Sequence, residues 1–201
     1  MHFTIKKVID KYTGFFKVKE LLLSHDLFEG GSTGTIKREL IQKGNAAAVL
    51  LYDPDLRQVA FTEQFRIGAI PEQTDAPQAD AWLTELVAGY IEPGESDVDV
   101  IHRESMEEAG CHIEKLHKIC KYFISPGSTS ETISLYCGKV DSKKLGGIFG
   151  LRDEGENIRL KIVSVKDAYQ LMDTGEIKCA TPYIALQWLQ LNEKMLIKKW
   201  T

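Results

Sequence analysis

The sequence predicts an α+β protein. Three observations carry this: short extended segments separated by turn residues fill most of the chain before residue 92, a capped helix starts near Ser96, and two helical periods close the chain. The first extended segments are Phe3–Ile9, Phe15–Leu23 and Thr35–Ile41, set apart by Thr13-Gly14, Gly30-Gly31-Ser32 and Lys43-Gly44-Asn45. They predict a small antiparallel sheet over residues 1–44, followed by a main domain over residues 45–201. Three strands alone bury little, so the apolar residues Val8, Ile9, Phe15, Phe16 and Leu21 to Leu23 predict a second copy of the chain as cover.

The main domain opens with a buried strand over Ala46–Tyr52, a turn at Asp53-Pro54-Asp55 and a strand over Val59–Phe65. A polar loop with Pro71 and Pro77 leads to one further extended run, Trp82–Ile91. Ser96 then suits a helix N-cap, Asp99 stands at its third position, and Gly110 ends the helix. Residues 118–124 and 131–140 read as strands around a Ser-Pro-Gly-Ser turn, and Ile158–Val163 as another. The closing helices are Val165–Met172 and Thr181 to about Lys198, the second amphipathic through Ile184, Leu186, Trp188, Leu189 and Leu191.

Length and composition narrow the function. The chain has 201 residues, room for one good-sized domain or one domain plus a small appendage. With 25 Lys plus Arg against 29 Asp plus Glu, the net charge of −4 gives no general attraction for nucleic acid or anionic lipid. The longest apolar run, Ala46–Tyr52, is far short of the ~20 residues that span a bilayer, and the N-terminal residues lack an apolar signal core. A cytoplasmic protein is expected. Cys111, Cys120, Cys137 and Cys179 form no C-x-x-C pair and no zinc-type pattern with His, and read as reduced thiols.

The chemistry gathers on the first helix. At about 100° per residue, Val98, Ile101, Ser105 and Ala109 face the core, while Glu104, Glu107 and Glu108 share an adjacent flank. Like charges three and four residues apart repel by a few tenths of a kcal/mol per pair, so the arrangement costs stability unless a cation binds there. Carboxylate oxygens suit hard divalent ions such as Mg²⁺ or Mn²⁺, which neutralise phosphates. Glu95 can pair with Arg103, and Arg103 can reach Glu107, leaving Glu104 and Glu108 for metal. The alternating Asp/Asn loop of a calcium-binding EF-hand is absent.

Gly89-Tyr90-Ile91-Glu92-Pro93-Gly94-Glu95, a seven-residue spacer, and Arg103-Glu104-Ser105-Met106-Glu107-Glu108-Ala109-Gly110-Cys111 together resemble the Nudix box, G-x5-E-x7-R-E-U-x-E-E-x-G-U with U apolar. Every charged and glycine position is met; Ser105 and Cys111 stand where larger apolar residues are usual. Further stretches, Phe61–Arg66, Ser125–Glu131, Gly150–Arg159 and Ala185–Gln190, resemble the ADP-ribose pyrophosphatase branch of bacterial Nudix hydrolases, with Pro126 fifteen residues past the box as a mark of that branch.

The resemblance implies an α/β/α sandwich around a mixed central sheet, and metal-dependent hydrolysis of ADP-ribose to AMP and ribose 5-phosphate. It implies Glu104 and Glu108 as principal metal ligands, Glu107 as an additional one and the Ala88 carbonyl as a backbone ligand. Arg38 and Arg66 would contact adenine or phosphate, Phe15 or Phe16 would stack on the base, and Glu131 would stand near the terminal ribose or the metals. A mobile loop around Gly155 would bring Glu154, as general base, and Glu156, as metal or water-positioning group, over the diphosphate. The N-terminal sheet would pack on a partner subunit. Because the box reads only the diphosphate, another nucleoside diphosphate sugar such as GDP-mannose is the alternative substrate. A non-catalytic ADP-ribose sensor would need none of the three helix glutamates.

Overall fold

The computed structural model of the chain describes residues 1–71 and 81–200, with Glu154 described by its backbone alone. Pro77 of the expected loop lies outside the described residues. The chain divides into two compact units, the smaller made of Met1–Asn45 and Tyr122–Ile133, the larger of Ala46–Lys121 and the chain from Ser134 on.

The smaller unit carries an antiparallel sheet in the order β1-β2-β3, with β1 Phe3–Thr13, β2 Lys17–His25 and β3 Ile36–Gln42. Strand β2 starts at Lys17 rather than Phe15 because Gly14, Phe15 and Phe16 form the bend, closed by the Gly14 N–H on the Phe16 carbonyl at 3.1 Å. Segment 122–133 joins β3 through the Ile41 N–H on the Ser128 carbonyl at 2.8 Å and an ion pair between Lys43 and Glu131 at 2.9 Å. No hydrophobic side chain among the first 45 residues is buried. The buried side chain there is Glu20, held by Lys11 and Lys37 at 3.3 Å each.

The larger unit begins with β4 (Ala46–Asp53), β5 (Gln58–Phe65), β6 (Trp82–Glu85), β7 (Val87–Tyr90) and helix α1 (Asp97–Ala109). After these come β8 (Lys115–Phe123) and β9 (Thr132–Lys139), of which Tyr122–Phe123 and Thr132–Ile133 count with the smaller unit, then β10 (Gly147–Phe149), β11 (Ile158–Ser164), α2 (Val165–Asp173) and α3 (Ala180–Trp200). The central sheet runs β10-β11-β5-β4-β9-β8, with β6 on β5 and β7 on β4. The run expected as one strand, Trp82–Ile91, is therefore two. Its first half pairs with β5 (Phe65↔Trp82 to Thr62↔Glu85), its second with β4 (Val49↔Val87 to Ala46↔Tyr90), and buried Leu86 stands between them. Strand β10 lies in a stretch the sequence reads as loop, since three residues between glycines carry no periodic signal.

Strand β4 is buried along its whole length, which fixes the layers. Ala47, Val49 and Leu51 pack in one cluster with Val100, Ile101 and Ala109 of α1. Tyr52, on the opposite face by strand alternation, donates its hydroxyl to Glu193 of α3 at 3.0 Å, and its ring lies 6.3 Å from that of Trp200. Helices thus cover both faces of β4. The buried face of α3 runs through Pro182, Ala185, Leu186, Leu189, Leu196 and Trp200; Leu191, expected on it, is 85% exposed on the opposite side of the helix.

Candidate active site

Helix α1 is placed by its caps. The Ser96 hydroxyl accepts from the Asp99 N–H at 3.2 Å while Asp99 accepts from the Ser96 N–H at 2.9 Å, and Gly110 ends the helix in the left-handed region at φ 59°. Asp97 ties the first turn to the sheet through the Tyr136 hydroxyl at 2.7 Å and Lys118 at 3.0 Å. The buried residues are Val100, Ile101, Ser105, Glu108 and Ala109. Val98, expected on the core face, is 36% exposed in the first turn. Glu108 belongs to the buried face itself rather than to a flank: it falls within about 20° of Ile101 on the helical wheel.

That burial sets the electrostatics. Glu108 is 4% exposed and accepts a single backbone bond, from the Ala88 N–H at 3.1 Å. Burial, with repulsion from Glu104 and Glu156 added, pushes its carboxyl up to about 8. Burial also raises Glu104, against the pull of Arg103 and with repulsion from Glu107 and Glu156. Gly89 makes room for this: a Cβ there would overlap the Glu104 carboxylate.

Arg103 staples the preceding loop to the helix. Its Nε and Nη2 reach the two Glu95 oxygens at 3.0 and 3.1 Å, and Nη2 also reaches the Tyr90 carbonyl at 3.3 Å. The sequence leaves Glu104 free of Arg103; instead Nη1 meets Glu104 at 2.7 Å and Glu107 at 3.4 Å.

The loop after β10 is pinned to the same helix. The Gly150 N–H donates to the Glu107 carbonyl at 3.3 Å, and Phe149 lies against Gly110, where a Cβ would come within 2.6 Å of its ring. Glu154 ends a single 3₁₀ turn, Arg152–Glu154, which Gly155 closes at φ 74°. Glu156 accepts from the Leu151 N–H at 3.1 Å, and its charge is felt at both Glu104 and Glu108. Arg66 follows β5, half exposed; its Nε donates to Glu85 at 2.7 Å, and its charge favours the ionised form of Glu108. The larger unit therefore gathers Glu104, Glu107, Glu108, Glu156, Arg66 and Glu85. Glu85 escapes a reading by motif; its one signal is a carboxylate inside the apolar run Trp82–Ile91.

Three expected residues lie in the smaller unit. Arg38 is exposed on β3, with Nη1 on the Lys37 carbonyl at 2.8 Å. Phe15 is 84% exposed and meets Phe16 edge-on at 4.8 Å. Glu131 is buried and paired with Lys43.

The description of the NUDIX domain matches residues 42–183. The chain belongs to the Nudix family. Its box is the loop and helix just described, and among its relatives the ADP-ribose pyrophosphatase of Haemophilus influenzae is 44% identical over 191 residues, 94% of this chain and 86% of the relative. The ADP-ribose pyrophosphatase of Escherichia coli strain K12 is 42% identical over 189 residues, 94% of this chain and 88% of the relative. A GDP-mannose pyrophosphatase of Escherichia coli is 29% identical over 160 residues, 79% of this chain and 80% of the relative. A solved structure titled as an ADP compounds hydrolase shares the fold at a TM-score of 0.66 and 17% identity, covering 94% of this chain and 95% of its own. The fold is thus the α+β Nudix sandwich, with the small antiparallel sheet at its N-terminus. The four cysteines of this Nudix protein are free thiols, and among the described residues no helix is long and apolar enough to cross a membrane.

Proposed function

We propose that this Nudix protein hydrolyses the pyrophosphate bond of ADP-ribose to AMP and ribose 5-phosphate, using Mg²⁺ or Mn²⁺. The observation that carries the reading is the buried carboxylate face of α1, with Glu108 and Glu104 forced together against the Ala88–Gly89 backbone and Arg66 beside them. The names of the relatives at 42–44% identity supply the substrate.

The residues present fit a hard divalent cation. Among the described residues no three acidic, histidine or cysteine groups already close into a cage, and Arg103 holds two of the glutamates. The donors are nonetheless all oxygen, and two of them carry a charge that burial and mutual repulsion disfavour, which a cation would relieve. Glu104, Glu107, Glu108 and the Ala88 carbonyl would hold the ion. When bound, it neutralises the diphosphate and acidifies an attacking water. Arg66 binds diphosphate oxygens through its two Nη groups. Glu154, in its turn beside the Gly155 hinge, takes the proton of the water, and Glu156 positions that water. On the strength of the family resemblance, Arg38 would contact adenine or phosphate, Phe15 or Phe16 would stack on the base, and Glu131 would serve the terminal ribose or the metals.

The protein works as a cytoplasmic homodimer. Support for the dimer is the N-terminal sheet, which exposes Phe3, Ile5, Val8 and Phe15 and buries no hydrophobic side chain of its own. Incubation with ADP-ribose and Mg²⁺, followed by chromatography, tests the activity: AMP and ribose 5-phosphate appear together. Recovery of intact ADP-ribose would overturn it.

A further inference from the structure

Arg66 is held differently from other arginines of the larger unit. Arg57 gives Nε and Nη2 together to Glu193, Arg159 gives the same two nitrogens to Glu63, and Arg103 commits all three nitrogens. Such forks close an arginine on its partner. Among the described residues, Arg66 instead makes one side-chain bond, Nε to Glu85 Oε2 at 2.7 Å. That leaves four N–H donors on Nη1 and Nη2.

The acceptor is itself fixed. Glu85 ends β6, in register with Thr62, and its other oxygen takes the Cys179 thiol at 3.6 Å. Burial and the Glu85 charge hold that thiol up to about 12, so it stays a protonated donor at neutral pH. The backbone adds a second tether, the Arg66 N–H on the Ala81 carbonyl at 2.8 Å, just ahead of β6. Thr62, Gln64 and Arg66 alternate onto one face of β5, the face of Ala60 in the α1 cluster, so the tethered arginine is presented to the side of the sheet that carries Glu108.

We infer that Glu85 is the positioning residue of Arg66: by taking Nε alone, with Cys179 steadying its second oxygen, it presents both Nη groups to an anionic diphosphate on the α1 face. This rests on the proposed activity. Glu85 touches no reacting atom; it acts through Arg66, and fixing the fork in advance lowers the ordering cost of binding.

A double-mutant cycle tests it, read by hydrolysis of ADP-ribose with Mg²⁺ and by calorimetric binding of α,β-methylene ADP-ribose, which is not cleaved. Arg66→Ala and Glu85→Ala should each lower kcat/KM and analogue affinity by ~10-fold or more, while the double variant stays within ~3-fold of Arg66→Ala alone. Glu85→Gln, whose amide oxygen still accepts from Nε, should stay within ~3-fold of the parent. If Glu85→Ala does not fold, Glu85→Asp, which withdraws the acceptor by one methylene, enters the cycle in its place. Losses that multiply in the double variant, or a Glu85→Gln variant as weak as Glu85→Ala, would overturn the inference. Absence of turnover with the binding cycle still non-additive would instead fail the hydrolytic reading and leave the positioning role standing.

Discussion

Arg103 Nη1 stands 2.7 Å from Glu104 Oε1 while its other two nitrogens grip Glu95, so one guanidinium both staples the loop to α1 and neutralises a carboxylate assigned to metal. Among the described residues Glu108 has no such cation in contact, and its burial is correspondingly costly.

It follows that Glu104→Gln and Glu108→Gln should each lower kcat by ~100-fold or more, because each removes a charged metal donor, without loss of the fold. Glu108→Gln should melt in chelator no lower than the parent, since it replaces a buried carboxyl whose ionisation burial penalises by a neutral isostere. Mg²⁺ should raise the Tm of the parent but not of Glu108→Gln. A Glu108→Gln variant that unfolds, or one that keeps full activity, would contradict the role.

The loop glutamates separate by kinetics. Glu154→Gln should cut kcat by ~10²–10⁴-fold with little change in KM and flatten the acidic limb of the pH–rate profile. If Glu156→Gln shows that pattern and Glu154→Gln does not, the two roles exchange; if both stay active, the base lies elsewhere.

The legible parts of the molecule were those fixed by local chemistry. Ser96, Asp99 and Gly110 mark α1 because caps are read within four residues, and the box fixes the Arg103–Glu95 pair by spacing alone. What the sequence hides depends on neighbours distant along the chain. Trp82–Ile91 splits because its halves pair with different strands, and Val98 lies on the correct arc yet is 36% exposed. Glu85 under Arg66 is likewise set by a residue about twenty positions away, which no periodicity encodes, whereas Glu108 in the core follows the helical period that places it beside Ile101.

Asp53 predicts a pH dependence of stability. It is 3% exposed, and although burial pushes its carboxyl up, bonds from the Ser142 hydroxyl and N–H and from the Leu56 and Asp55 N–H groups outweigh that and hold it below its ordinary value. A depressed folded pKa contributes stability that is present above the unfolded value of ~3.9 and is lost as pH falls through the folded one. Asp53→Asn should therefore cost about 2 kcal/mol between roughly pH 5 and 8, with the gap closing below about pH 4 in urea melts. A gap that does not depend on pH would refute this.

The dimer is checked by sedimentation. With Phe3 72% exposed on a sheet that buries no hydrophobic residue, and Phe15 84% exposed in the bend before β2, the chain should run at twice its 22.6 kDa mass at micromolar concentration. Phe3→Asp with Val8→Asp should shift it toward monomer. A parent protein that sediments as monomer contradicts the dimer.

The most direct test of the activity is a panel of ADP-ribose, GDP-mannose and other nucleoside diphosphate sugars, each incubated with the protein and Mg²⁺, with and without chelator, and resolved by chromatography. The account predicts that ADP-ribose is the preferred substrate, that AMP and ribose 5-phosphate form in equal amounts, and that chelator abolishes turnover. Turnover that survives chelation, or a tenfold preference for GDP-mannose, would contradict it.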